Sequence, residues 1–153
     1  MMRRAGFFQC EKGVAAVEFA LLVPVLVIIL MGVVDYGTFM NQKMKLQDLS
    51  RTAVQYVVQG GSASDVMANI VETSDFYTAA GADGQTVNVD MAQECECAGG
   101  TSVSCSGTCS AVGDYMRYFY SARLDSTYTP IFVYPGLPTS IRLEGYSRMQ
   151  YNP

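Results

Sequence analysis

The chain reads as an α+β protein carried on a long N-terminal helix, and three features of its 153 residues predict this. An apolar run of 21 residues, Val14–Val34, is broken only by Glu18, Pro24 and Gly32. A stripe at helical spacing follows it directly. Beyond residue 86 the apolar period drops to two, the period of half-buried strands.

The first element is the apolar run, since about 20 residues cross a bilayer. A secretory signal has a shorter apolar core, ends in a small-residue cleavage site and fits poorly here. Pro24 removes a backbone donor and bends the helix. The helix then continues past the membrane. Phe39, Gln42, Leu46, Leu49, Ala53 and Tyr56 recur every three or four residues, while Asn41, Lys43, Lys45, Asp48 and Arg51 occupy the other face. We read the stripe as core rather than as a coiled-coil surface. Gly60-Gly61 ends the helix. One helix from Val14 to Gln59 would be ~69 Å long.

A shorter helix is expected over residues 64–80, capped by Ser62 or Ser64, with Val66, Ile70 and Val71 inward. A turn follows at 80–84. Val87, Val89 and Met91 then alternate with Asn88 and Asp90 as a strand. A second strand places Met116, Tyr118, Tyr120, Ala122 and Leu124 on one face and Arg117, Ser121 and Arg123 on the other. A third places Ile141, Leu143, Gly145 and Met149 against Arg142, Glu144 and Arg148. Pro130, Pro135 and Pro138 hold the segment between them as a loop. The predicted order is thus a long helix, a short helix and three or four antiparallel strands covering the exported half of the long helix.

Charge is divided unevenly. Residues 1–13 form a mostly basic leader, with Arg3, Arg4 and Lys12 against Glu11. Of the 10 Lys and Arg and 14 Asp and Glu in the chain, 7 and 13 follow Gly13. Basic residues before the span and acidic excess after it orient the N-terminus toward the cytoplasm. The acidic domain carries no basic stripe, which argues against nucleic acid as a partner. Histidine is absent, which removes the commonest general base. With no phosphate loop or nucleophile–base pair either, no enzymatic reading is supported and no cofactor is expected.

Cleavage after Gly13 would make Val14 a new N-terminus and Glu18 the fifth residue of the mature chain. A carboxylate inside a membrane helix is costly without a partner, so it marks a functional position. Pairing Glu18 with the Val14 amine of a neighbouring copy would offset the desolvation of both charges and set axial register, without guaranteeing net stabilisation. The bland alternative is a Glu18 that snorkels to the headgroups of a plain anchor. Cleavage also resolves the five cysteines. Cys10 leaves with the leader, and Cys95, Cys97, Cys105 and Cys109 remain as an even set on the exported side.

That set could in principle bind zinc, but the C-x-C spacing is poor for it and an exported location favours disulfides. Cys95 and Cys97 point the same way in a strand and should bond across the Gly99-Gly100 turn. Nested pairing is expected, Cys97–Cys105 inside Cys95–Cys109. Asp83, Asp90, Glu94 and Glu96 do not match a calcium loop and read as a solvated face. Half-buried strand positions account for most of the ten tyrosines, though an adhesive or docking surface is a further use for them.

Lys12-Gly13-Val14-Ala15-Ala16-Val17-Glu18-Phe19, continuing through Pro24, Gly32, Asp35-Tyr36-Gly37 and on to Gln47 and Arg51, resembles the TadE family over roughly residues 12–60. These are minor pilins or pseudopilins of the bacterial tight-adherence (Tad, Flp, type IVc) pilus. The resemblance implies leader cleavage at Gly13–Val14 by a prepilin peptidase, with Glu18 as register residue and Phe19 in the aromatic position beside it. It implies three parts: leader 1–13, transmembrane and assembly helix 14–35, and exported domain 36–153. The implied partners are the major Flp pilin, other minor pilins, the peptidase, the Tad inner-membrane machinery and the lipid bilayer. The related TadG-like proteins share the N-terminal segment but tend to be longer. The competing reading is a permanently anchored scaffold or surface-binding protein that never enters the fibre.

Overall fold

The structure is a computed structural model and describes residues 11–76, 86–110, 113–133, 136 and 138–152. Residues 1–10, the expected turn at 80–84 and Pro135 lie outside the described residues. The chain forms two compact units, Met1–Gly37 and Thr38–Pro153.

Helix α1 runs Glu11–Val58, with Pro24 inside it. In the first unit it carries the apolar run. In the second its stripe is core: Leu46, Leu49, Ala53, Val54 and Val57 are buried, and Phe39 and Tyr56 pack against them. Asn41, Lys43, Lys45, Asp48 and Arg51 are exposed, as a 3.6-residue period requires. The helix stops where glycine allows a left-handed residue. Gly60 has φ +100°. Its N–H donates to the Val57 carbonyl at 3.0 Å and the Gly61 N–H to Tyr56 at 2.9 Å. That pair of bonds satisfies the last carbonyls of the helix.

Among the described residues, the helix expected over 64–80 begins as two single turns, with Asp75 and Phe76 helical after them and 77–80 outside the described residues. A 3₁₀ turn spans Ala63–Asp65 and a π turn spans Met67–Val71. Ser62 occupies the N-cap position without a side-chain cap, because its hydroxyl bonds Ser64 Oγ at 2.7 Å. The first backbone donors therefore lose the partner that would favour a regular helix. Val66 and Val71 are buried as expected.

Four strands follow: β1 Asn88–Cys97, β2 Ser102–Val103, β3 Met116–Tyr128 and β4 Ile141–Tyr151. All neighbours are antiparallel, in the order β2-β1-β3-β4. Register places Val89 opposite Leu124 and Leu124 opposite Gly145. One face of the sheet thus offers Val89, Met91, Ala122, Leu124 and Leu143 to residues 39–57 of α1. Gly145 is required here because a Cβ would lie 2.6 Å from the Leu46 carbonyl oxygen. The helix crosses β4 at that point with its backbone nearly touching the strand. One residue on, the Gln47 side chain donates to the Tyr146 carbonyl and accepts the Tyr146 N–H at 3.2 Å. The amide thereby serves backbone groups on an edge strand, where pairing is otherwise open.

Candidate functional site

Two regions hold the residues singled out from the sequence. In the first unit, the Gly13–Val14 peptide lies within the first turn of α1. Val14 and Glu18 are one turn apart, so they share a helix face, with Phe19 beside them. All three are exposed, Val14 by 61% and Phe19 by 68%. Leu22, Leu26, Ile29 and Val33 are each more than half exposed, so the segment is apolar all round. That pattern suits a bilayer or a bundle of like helices, not water. It is a helix long and apolar enough to cross a membrane. Among the described residues Glu18 has no ion-pair partner.

In the second unit the cysteines pair as Cys95–Cys105 and Cys97–Cys109, with Cα separations of 5.0 and 5.8 Å. This crossed pairing corrects the nested one expected from sequence. The reason is the tightness of the turn. Gly100, at φ +89°, donates to the Cys97 carbonyl at 2.8 Å. The Cys97 N–H donates to Thr101 at 2.9 Å. The returning chain then tracks back along β1, with Val103 opposite Cys95. Cys105 therefore arrives beside Cys95, already past Cys97. A turn closed by the Gly107 N–H on the Ser104 carbonyl, 2.8 Å, reverses the chain and returns Cys109 to Cys97. All four sulfurs are engaged, so no thiolate remains for the zinc alternative.

The other face of the sheet is a charge ladder. Arg148 pairs with Glu94 and Glu96, both at 2.9 Å, and stacks 3.8 Å over the Phe119 ring. Arg117 reaches Glu96 at 3.5 Å; Arg123 pairs with Glu144 and Arg142 with Asp125, each at 2.9 Å. The Asp125 hydrogen bond, with its charge, raises the Arg142 guanidinium above its ordinary value. Ser121, expected to face solvent, is buried because its hydroxyl donates to Glu94 at 2.6 Å. Glu94 and Glu96 are thus arginine partners, while Asp83 lies outside the described residues. Sequence alternation located this face but not the pairs, which depend on cross-strand register.

Tyr118, Tyr120 and Tyr151 form a half-buried cluster on the α1-facing side of the sheet, Tyr120 and Tyr151 stacking at 4.7 Å. Burial, then the neighbouring Tyr120, raises the Tyr151 hydroxyl above the usual tyrosine value.

Residues 13–55 match the family model described as TadE-like protein. No curated protein matches the chain, and no solved structure does. The matched stretch is almost entirely α1, from Gly13 to the buried stripe that packs on the sheet. The match associates the chain with Tad pili, and the long apolar helix fits a single-pass membrane protein of such a system.

Proposed function

We propose that this chain, TadE-like from Gly13 into the core-packing half of its helix, is a minor pilin or pseudopilin of a Tad (Flp, type IVc) pilus. A prepilin peptidase removes residues 1–13. The mature chain stands in the inner membrane with Val14 at the cytoplasmic side and residues 36–153 exported. It joins the assembling fibre by packing its apolar helix among those of the major Flp pilin and other minor pilins, at the Tad inner-membrane machinery. Glu18 sets the register by meeting the Val14 amine of a neighbour.

The observation that carries this reading is Glu18, without an ion-pair partner among the described residues, one turn after Val14 on a helix otherwise apolar all round. A carboxylate within a bilayer persists only if something charged or hydrogen-bonding meets it. The disulfides suit the exported side, where thiols are oxidised.

The test is the N-terminus and intact mass of the chain recovered from bacterial membranes, with and without the prepilin peptidase. A chain beginning at Val14 only when the peptidase is present is the expected result. A chain that keeps its leader in both strains returns the protein to the status of an anchored scaffold. Glu18→Ala then addresses assembly: processing persists while incorporation into pili is lost. Unchanged incorporation would remove the register role.

A further inference from the structure

The segment joining β3 to β4, residues 129–140, contains no charged side chain in twelve residues. At its start Val133 is 84% exposed and Ile131 59% exposed, with Phe132 half-buried between them. Two exposed aliphatic side chains this close together are unusual where a chain leaves a strand, since polar residues normally meet water. The position of this loop in the second unit identifies what covers it.

β3 ends at Tyr128, whose hydroxyl lies 2.7 Å from Thr38 Oγ1 and whose ring meets Phe39 edge-on at 5.5 Å. Thr38 follows Val34, the last residue of the apolar run, by four residues, which the chain can stretch to at most ~14 Å. Within the second unit, the Tyr128 end of the sheet is therefore the end at which α1 enters that unit. The opposite end of β3, Met116 beside Cys97, is twelve residues back, ~40 Å at strand rise. Charged pairs run along the opposite face of the sheet, from Glu96–Arg117 toward the disulfides to Asp125–Arg142 near Tyr128, and the exposed Ile131 and Val133 follow the Tyr128 end. The nearest charged groups, Asp125 and Arg142, neutralise one another at 2.9 Å.

We infer that Ile131 and Val133 dip into the interfacial layer of the membrane that residues 14–34 span, giving the exported domain a second attachment beside its helix. The proposal rests on the membrane-spanning reading of that segment. Its occupant is lipid, at the boundary of headgroups and acyl chains, where short apolar side chains insert while the backbone keeps its access to water. A domain held at two points has its tilt on the bilayer fixed, and leaving the membrane for a fibre must withdraw both.

The chain has no tryptophan, so single tryptophans report depth without background. Three full-length variants suffice: Val133→Trp, Leu26→Trp within the span, and Tyr115→Trp at the far end of the sheet, where the residue is 64% exposed. Each is reconstituted in phosphatidylethanolamine–phosphatidylglycerol vesicles containing a nitroxide lipid labelled either near the glycerol or near the chain end. Val133→Trp should emit to the blue of Tyr115→Trp. It should also be quenched more by the shallow nitroxide than by the deep one, as fits a depth of about 5–10 Å. Leu26→Trp should show the reverse order, and Tyr115→Trp should be quenched by neither.

Quenching of Leu26→Trp without quenching of Val133→Trp overturns the second attachment and leaves the span intact. A blue-shifted Val133→Trp that no nitroxide quenches also overturns it, placing the loop against protein, such as a second copy of this chain. Failure of both labels to quench Leu26→Trp sinks the spanning reading and this inference with it.

Discussion

Residues 14–34 and 39–57 belong to one helix and obey opposite rules. The first stretch shows its apolar side chains on every face, Leu22 and Val25 exposed as much as Ile28. The second buries one face, Leu46, Leu49, Ala53 and Val57, and turns Lys43, Lys45 and Arg51 to solvent. The backbone is the same α-helix; the surroundings differ. In a bilayer the helix stands because its own hydrogen bonds leave no polar group facing hydrocarbon. In water the gain comes from packing an apolar stripe against the sheet. Composition thus reveals one half and period the other.

Substituting the same residue type in the two halves sets this contrast to the test. Leu46→Ala should lower the stability of the 38–153 unit by about 2–5 kcal/mol, since the side chain is fully buried. Denaturant unfolding followed by tyrosine circular dichroism measures it. Leu26→Ala should leave that transition in place, and weaken insertion only by a few tenths of a kcal/mol. Equal effects from the two would erase the division drawn here.

A disulfide acts only on the second unit. Replacing Cys97 and Cys109 with Ser removes a short closed loop and should cost about 2–4 kcal/mol in the same assay, with membrane association unchanged. Single replacement of Cys105 also reads the connectivity. The thiol it frees, found by alkylation and mass spectrometry, should be Cys95; recovery of Cys97 instead would restore the nested pairing.

The smallest effect is a matter of pH. The folded state holds the Tyr151 hydroxyl above its ordinary value, which is near pH ~10 in an unfolded chain. Above that pH the unfolded chain releases a proton that the folded one keeps, so the contribution is whole below it and declines as pH rises through the folded value. Tyr151→Phe should flatten the alkaline limb of the stability curve and leave the neutral region nearly alone. An unchanged limb would dismiss the tyrosine cluster as a source of pH sensitivity.

Much of the second unit was legible in advance for a definite reason. Val89, Met91, Ala122, Leu124 and Leu143 alternate with polar residues, and the sheet buries them on one face. Gly60 was readable as the helix stop because only glycine takes its φ of +100° without strain. The turns at 63–71 were not, since a capping serine can serve its neighbour instead of the backbone, and a sequence does not say which. The crossed disulfides escaped because spacing alone fits both pairings; the Cys97–Gly100 turn decides between them.

The sequence by itself determined the apolar helix, the stripe that follows it, the strand alternation and the Gly13–Glu18 layout, all local properties of composition and period. Only the tertiary structure decided which arginine meets which carboxylate, why position 145 must be glycine, how the cysteines pair and which end of the sheet carries Ile131 and Val133. Those outcomes join residues far apart in the chain, through register and close approach that no window of sequence contains.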